Sequence, residues 1–146
     1  MSWFKICVGA AIIVFVIGIA VIDSSIAEDS DLSGTWILTE AVTGCGDNRT
    51  ETLTAEITQK GDSVTIIVNE RDRTVIGKIY NNEILCAGIR KVMKAEGAIA
   101  ERTQDIRNYR LKISEDGNTL TGKSEWFFKT SDFSCDGVSA LTYKRK

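Results

Sequence analysis

The stretch DLSGTWILTE, residues 31–40, places a glycine and a tryptophan two positions apart at the start of an alternating apolar run. Successive side chains of a β-strand point to opposite faces of the sheet, so Gly34, Trp36 and Leu38 share one face. A tryptophan that points into a small barrel fills its narrow end, and a neighbouring glycine leaves space for the closing chain or for a bend at the rim. The stretch therefore predicts the first strand of a β-barrel, with Trp36 as a core residue.

The chain after this stretch continues as short alternating runs separated by turn residues, which is typical of an antiparallel meander. It contains no proline, and no long helical pattern follows residue 31. Glycine turns are marked at Lys60-Gly61-Asp62 and at Asp116-Gly117-Asn118. Eight strands are predicted, at about residues 33–42, 51–59, 63–70, 73–80, 84–94, 106–114, 119–129 and 134–143.

Two segments leave alternatives open. Residues 95–105 are predicted to form either a short helix or a loop. In the fifth run, Ile89, Val92 and Met93 are spaced as on a helix. This run is therefore either strand throughout or strand passing into a helical turn near Arg90.

An eight-stranded meander is predicted to close, because two exposed edges on a small domain promote aggregation. The expected fold class is all-β, a single eight-stranded antiparallel up-and-down barrel. Closure pairs the last strand with the first and would bring Cys45, just after the first run, beside Cys135, at the start of the eighth. The sequence alone allows three single pairings among Cys45, Cys86 and Cys135. Closure favours a Cys45–Cys135 disulfide, which leaves Cys86 as a buried thiol or an intermolecular partner.

The start of the chain differs from the rest. Lys5 precedes an uncharged, mostly apolar run over residues 6–22, and a small-x-small pattern ends at Ala27. Residues 1–27 are therefore predicted to be a signal peptide cleaved after Ala27. A retained N-terminal anchor helix is the alternative, because the run approaches spanning length. In either case the sequence predicts export of one barrel domain, residues 28–146, to the periplasm, the cell surface or the medium.

The motif LSGTW at residues 32–36, opening an eight-strand run, resembles the Gly-x-Trp start of lipocalins and of the wider calycin-like barrels. The chain is also similar to small exported bacterial proteins with a lipocalin-like domain and to the barrel of bacterial metalloprotease inhibitors. The resemblance implies a barrel that holds a small ligand, or one that inhibits a protease through a mobile N-terminal strand, here residues 28–31. Lipocalins share an arginine that packs over the tryptophan, and the sequence pattern assigns no arginine to that place.

Composition narrows the classes of function. The net charge is −2 and the one local basic excess is KRK at residues 144–146, so no nucleic-acid partner is expected. The chain has no histidine, the commonest general base and a member of the Ser-His and Cys-His nucleophile pairs. Cysteines without C-x-x-C spacing, in a chain without histidine, predict no metal site. We therefore expect a non-enzymatic protein with no catalytic residues, no metal and no cofactor.

Four aromatic side chains predicted to face inward are the candidate ligand-binding residues, namely Trp36, Tyr109, Trp126 and Phe128. An eight-stranded barrel is either filled by side chains or holds one small ligand, so these aromatics form the core or line a cavity. The expected function is binding of a small apolar ligand. The alternatives are a protein-interaction module such as a protease inhibitor, and a structural envelope protein with a filled core. The sequence identifies no protein partner, and membrane contact is expected only through residues 6–22 if the leader is retained.

Overall fold

The computed structural model describes residues 31–93 and 102–146. The predictions for residues 1–27 lie outside the described residues. Within the two described ranges, no helix has the length and hydrophobicity needed to span a membrane. One turn of 3₁₀ helix covers Asn69–Arg71. The strands are β1 (Gly34–Gly44), β2 (Asp47–Lys60), β3 (Ser63–Val68), β4 (Arg73–Tyr80), β5 (Glu83–Cys86), β6 (Ile89–Met93), β7 (Arg102–Ile113), β8 (Thr119–Lys129) and β9 (Ser134–Arg145).

The strands form one antiparallel sheet that closes on itself. β1 lies between β2 and β9, and the sheet continues through β3 and β4 on one side and through β8 and β7 on the other. β5 pairs with residues 110–112 of β7, and β6 pairs with residues 102–106 of the same strand. Because β5 and β6 share one position in the sheet, the structure is an eight-stranded barrel, which confirms the predicted all-β class.

The fifth predicted run is a strand interrupted at Ala87 and Gly88, and the helical alternative near Arg90 is wrong. Arg90 lies in β6, where its Cα pairs with that of Asp105 in β7. Pairing with β7 overrides the helical spacing of the apolar residues, because local propensity is weaker than the hydrogen-bonded ladder. In the other ambiguous stretch, residues 102–105 belong to β7, and residues 95–101 lie outside the described ranges.

Alternation along the strands assigns the inward faces correctly. On β1, Trp36 and Leu38 are fully buried, whereas Thr39 is exposed. Both predicted glycine turns join neighbouring strands, β2 to β3 and β7 to β8. The buried core comes from strands all around the barrel and comprises Leu32, Trp36, Leu38, Ala55, Ile57, Val64, Ile66, Val68, Val75, Ile84, Ile106, Tyr109, Leu111, Ile113, Leu120, Leu141 and Tyr143.

The predicted Cys45–Cys135 disulfide is confirmed. It joins the turn after β1 to the start of β9, with the two Cα atoms 5.7 Å apart. Cys86 is the free cysteine of the described residues and is half-buried. Burial raises the pKa of its thiol to about 12. A thiol that stays protonated at neutral pH is a poor nucleophile, so burial lowers the nucleophilicity of Cys86.

One end of the barrel is closed by Trp36 and by an arginine that the sequence pattern did not predict over this tryptophan. The indole N–H of Trp36 donates to the carbonyl oxygen of Leu32 at 2.9 Å. The guanidinium of Arg145 lies 4.8 Å from the centre of the indole ring and donates to the carbonyl oxygens of Ser33 and Asp31, at 3.0 and 2.8 Å. The expectation that no arginine takes this place is therefore wrong, because the β1–β9 register sets Arg145 opposite Trp36.

Gly34 fits one of the two roles predicted for it. A Cβ atom at this position would make an ordinary contact, 3.6 Å from Nη1 of Arg145, so the closing chain does not need the space. The backbone φ angle of +135° is the constraint, since side chains other than glycine rarely adopt it. Gly34 thus permits the bend at the rim, which was the other half of the prediction.

Replacing Arg145 with alanine is expected to lower the free energy of unfolding by about 1–2 kcal/mol, because a cation–π contact and two charge-assisted hydrogen bonds are lost. Urea denaturation followed by circular dichroism measures the change. Lys144→Ala, at the neighbouring exposed position, is the matched control and should change stability by less than about 0.5 kcal/mol. Equal stability of the two variants would contradict a role for Arg145 in closing this end.

Asp105 in β7 links this strand to β6 on the outer face of the barrel. Its carboxylate accepts two hydrogen bonds from Arg90 in β6, at 2.8 and 3.0 Å, and one from Arg107 at 3.1 Å. Only 6% of Asp105 is exposed. The hydrogen bond from Arg90, aided by Arg107, lowers the pKa of Asp105 from 3.8 to about 2. The carboxylate therefore stays ionised in the folded protein at pH values where it is protonated in the unfolded chain.

This lowered pKa predicts an acid-dependent part of the stability. A folded pKa below the unfolded value contributes stability that is complete above pH about 4 and disappears as the pH falls to about 2. Asp105→Asn should therefore lower stability at neutral pH and flatten the curve of stability against pH between these values. Denaturant titrations across this range give the two curves, with Asp132→Asn in the exposed β8–β9 turn as the control. Parallel curves for the wild type and Asp105→Asn would contradict the assignment.

Candidate functional site

A cavity of about 730 Å³ opens at the end of the barrel opposite Trp36. It lies among the β1–β2 turn, the 3₁₀ turn between β3 and β4, and the β8–β9 turn, which the up-and-down topology brings to the same end. Its apolar walls come from Val42, Ile89, Ile106, Trp126, Phe128 and Phe133. An open cavity of this size falls in the range that small-molecule sites occupy.

The four candidate ligand-binding residues lie in two regions, the cavity and the core. Trp126 and Phe128, on the inward face of β8, line the cavity. Trp36 lies at the closed end and is fully buried. Tyr109 is 1% exposed and its hydroxyl is hydrogen-bonded to that of Tyr143. Two of the four candidates therefore meet at the cavity, and Trp36 and Tyr109 belong to the core beneath it.

Trp126 occupies its position because a glycine faces it on the next strand. Gly137 in β9 pairs with Trp126, and a Cβ atom added to Gly137 would overlap the indole ring. The indole nitrogen of Trp126 is buried, and within the described ranges it has no hydrogen-bond partner. An unsatisfied buried donor costs about 1–3 kcal/mol. The packing of Trp126 is thus less favourable than that of Trp36, whose N–H has a partner.

A buried ion pair lies on the inner wall of the cavity. Nη1 of Arg73, the first residue of β4, donates to Oε2 of Glu40 in β1 at 3.0 Å. Glu40 is 4% exposed, and the Arg73 side chain is 13% exposed. Burial alone would lower the pKa of Arg73, but the charge of Glu40 and the neighbouring Tyr109 and Tyr143 outweigh burial and raise it. Arg73 therefore keeps its positive charge inside the barrel.

The sequence contained a signal for one partner of this pair. The alternation that sets Trp36 and Leu38 inward also sets Glu40 inward, and a carboxylate on a buried face requires a partner. Its partner Arg73 lies 33 residues further along the chain. Only the closed sheet brings the two together, so the ion pair was missed.

The two tyrosines below the ion pair form a second polar contact in the core. Burial raises the pKa of Tyr109 well above its usual range, and it raises the pKa of Tyr143 as well. Both hydroxyls therefore remain protonated, and each can donate or accept a hydrogen bond. Together with Glu40 and Arg73 they give the middle of the barrel a polar layer between the apolar closed end and the cavity.

Most of the described charged side chains at the rim of the cavity are paired with one another. Lys91 donates to Asp72 at 2.9 Å, and Arg49 donates to Glu51 at 2.8 Å. Arg71 forms a second ion pair with Glu51. Hydrogen bonding from Arg71 is the main cause of a lowered pKa at Glu51, and Lys91 has the same effect on Asp72. The rim is thus strongly polar but close to neutral in charge.

A second groove of about 730 Å³ runs along the outside of the wall, where β5 gives way to β6. The β7–β8 pairing is irregular between Arg107 and Arg110 at this point. Cys86 and Tyr109 form part of its floor. Its charged lining residues are mostly basic, with Arg107, Arg110, Lys112 and Lys123 against Glu83 and Glu125.

Asp31, the described residue of the acidic segment considered for protease inhibition, lies at the closed end. Asp31 is held there by Arg145, and residues 28–30 lie outside the described residues. Across the part of the chain that the structure describes, no group of three or more histidine, cysteine, aspartate or glutamate side chains is arranged to hold a metal ion.

Comparison with models of known protein families finds no match for this chain, and comparison with curated protein sequences finds none either. The geometry of the barrel and of its cavity is therefore the basis for a functional proposal.

Replacing Glu40 with glutamine is expected to destabilise the barrel by about 3 kcal/mol, because Arg73 loses its counter-charge while it stays buried. Guanidinium chloride denaturation measures the change. Glu56→Gln on the exposed face of β2 is the control and should alter stability by less than about 0.5 kcal/mol. A Glu40→Gln protein as stable as the wild type would show that the ion pair is solvated and would contradict its burial in the cavity wall.

Proposed function

We propose that this protein is an exported, non-enzymatic, lipocalin-like barrel that binds a small apolar ligand at its open end. The observation that carries the proposal is the cavity, whose walls include Trp126 and Phe128. Apolar and aromatic walls with a few fixed polar groups are the usual composition of small-molecule sites. The ligand buries apolar surface against β8, and this burial is the main source of affinity.

Two further features support the lipocalin-like assignment and export. Arg145 packs over Trp36, as the arginine that lipocalins share packs over their tryptophan. The Cys45–Cys135 disulfide supports residence in an oxidising compartment outside the cytosol. The proposal includes no cofactor.

The proposal predicts saturable binding of Nile red, an uncharged dye whose fluorescence increases in apolar surroundings. Trp126→Ala removes one aromatic wall and should weaken dye binding by about tenfold, since a buried tryptophan contributes more than 1.4 kcal/mol of apolar contact. Fluorescence titration of the purified full chain gives both dissociation constants. Ile76→Ala, on the outer face of β4 where Ile76 is 61% exposed, is the control and should bind like the wild type.

Two results would refute the proposal. Absence of saturable binding to the wild type would indicate a cavity that serves only as the open end of a structural barrel. Equal affinity of the wild type and Trp126→Ala, with weaker binding in Ile76→Ala, would place the dye on the outer face of the sheet.

A further inference from the structure

The inner wall of the cavity presents a hydrogen-bond donor and an acceptor side by side. Arg73 and Glu40 both line the cavity. They are joined end-on by one hydrogen bond, from Nη1 of Arg73 to Oε2 of Glu40. The second carboxylate oxygen, Oε1, and the other guanidinium N–H groups of Arg73 are not engaged by this bond.

These unengaged atoms are open to the cavity. Within the described ranges, Trp126 Nε1 is the one side-chain nitrogen or oxygen that is both buried and without a partner. The free atoms of Glu40 and Arg73 are therefore not sealed in the core, and the cavity is the space that both side chains line. A ligand that reaches the inner wall meets a carboxylate oxygen and a guanidinium N–H at adjacent positions.

This pairing disfavours a charged ligand group. A carboxylate bound by Arg73 would lie close to the carboxylate of Glu40, and an ammonium bound by Glu40 would lie close to Arg73. Attraction and repulsion then largely cancel, while the cost of removing the ligand charge from water remains. Among the described rim residues, the cations Arg49, Arg71 and Lys91 are each paired with a carboxylate, so they offer a ligand carboxylate no free positive charge. Glu70 stands outside these pairs and accepts a hydrogen bond from the backbone N–H of Thr54.

We infer that the ligand carries an uncharged polar group with a donor and an acceptor on neighbouring atoms, such as a primary or cyclic amide, attached to an apolar body. The inference rests on the proposed function and specifies its ligand class. The amide N–H donates to Oε1 of Glu40, and the amide carbonyl accepts from Arg73. Both hydrogen bonds are charge-assisted and therefore strong. The apolar body extends along Ile106, Trp126 and Phe128 toward the mouth.

Displacement of Nile red from the wild-type full chain by four probes with one ring system tests this inference. The probes are 2-naphthamide, 2-naphthoate, 2-naphthylmethylammonium and 2-methylnaphthalene. The amide is expected to bind about tenfold more tightly than each of the other three, because only the amide gains two charge-assisted bonds without burying a net charge. An amide that binds no better than the carboxylate or the hydrocarbon would overturn the inference.

The Glu40→Gln variant tests whether the preference for the amide probe depends on the Glu40–Arg73 ion pair. Loss of the carboxylate leaves Arg73 without a counter-charge, so 2-naphthoate should gain affinity and overtake 2-naphthamide. An unchanged order in a folded Glu40→Gln protein, verified by circular dichroism, would overturn the assignment to Glu40 and Arg73. If the variant does not fold, the ranking of the four probes on the wild type decides alone.

Nile red binding distinguishes a wrong ligand class from a wrong proposed function. If Nile red binds and the four probes displace it in order of apolar surface alone, the ligand class is wrong and the binding function stands. If Nile red does not bind and no probe perturbs the protein, both the function and the ligand class are wrong.

Discussion

The pairing of β1 with β9 is the constraint on which the rest of the structure depends. Its register sets Trp36 opposite Arg145 at one end and Gly44 opposite Gly137 at the other. The first pair closes the barrel with a cation–π contact. The second brings the strands close together beside the Cys45–Cys135 disulfide. One register therefore fixes which end is closed and which end is open, and it removes the sheet edges that would otherwise promote aggregation.

The interior changes character along the barrel axis, and this gradient gives the cavity its chemistry. Apolar side chains fill the closed end around Trp36. The tyrosine pair follows, and then the ion pair of Glu40 and Arg73, which both lines the cavity and ends the core. Buried ion pairs seldom add stability relative to apolar residues of the same volume. Under the proposed function, these two charged side chains serve to bind a ligand rather than to stabilise the fold.

Much of the fold followed from the sequence because it depends on local pattern. Alternation assigned the strands and their faces, and closure placed Cys45 beside Cys135. Features that depend on register were missed: Arg145 is remote in sequence from Trp36, and Arg73 is remote from Glu40. The break at Ala87 and Gly88 was also missed. The helical alternative near Arg90 was wrong because residues spaced as on a helix are held as strand by pairing with β7. At the site, the sequence supplied Trp126 and Phe128 but not the polar inner wall.

We propose that a ligand enters the barrel at the Trp126 end and not at the Trp36 end. Nitrogen-15 NMR of the indole N–H groups during titration with Nile red tests it most directly, with the signal of Trp3 identified by Trp3→Phe. We expect the Trp126 signal to move as the dye binds. The signal of Trp36, whose indole N–H already donates to Leu32, should stay in place. A moving Trp36 signal with an unchanged Trp126 signal, or dye binding that leaves both unchanged, would contradict it.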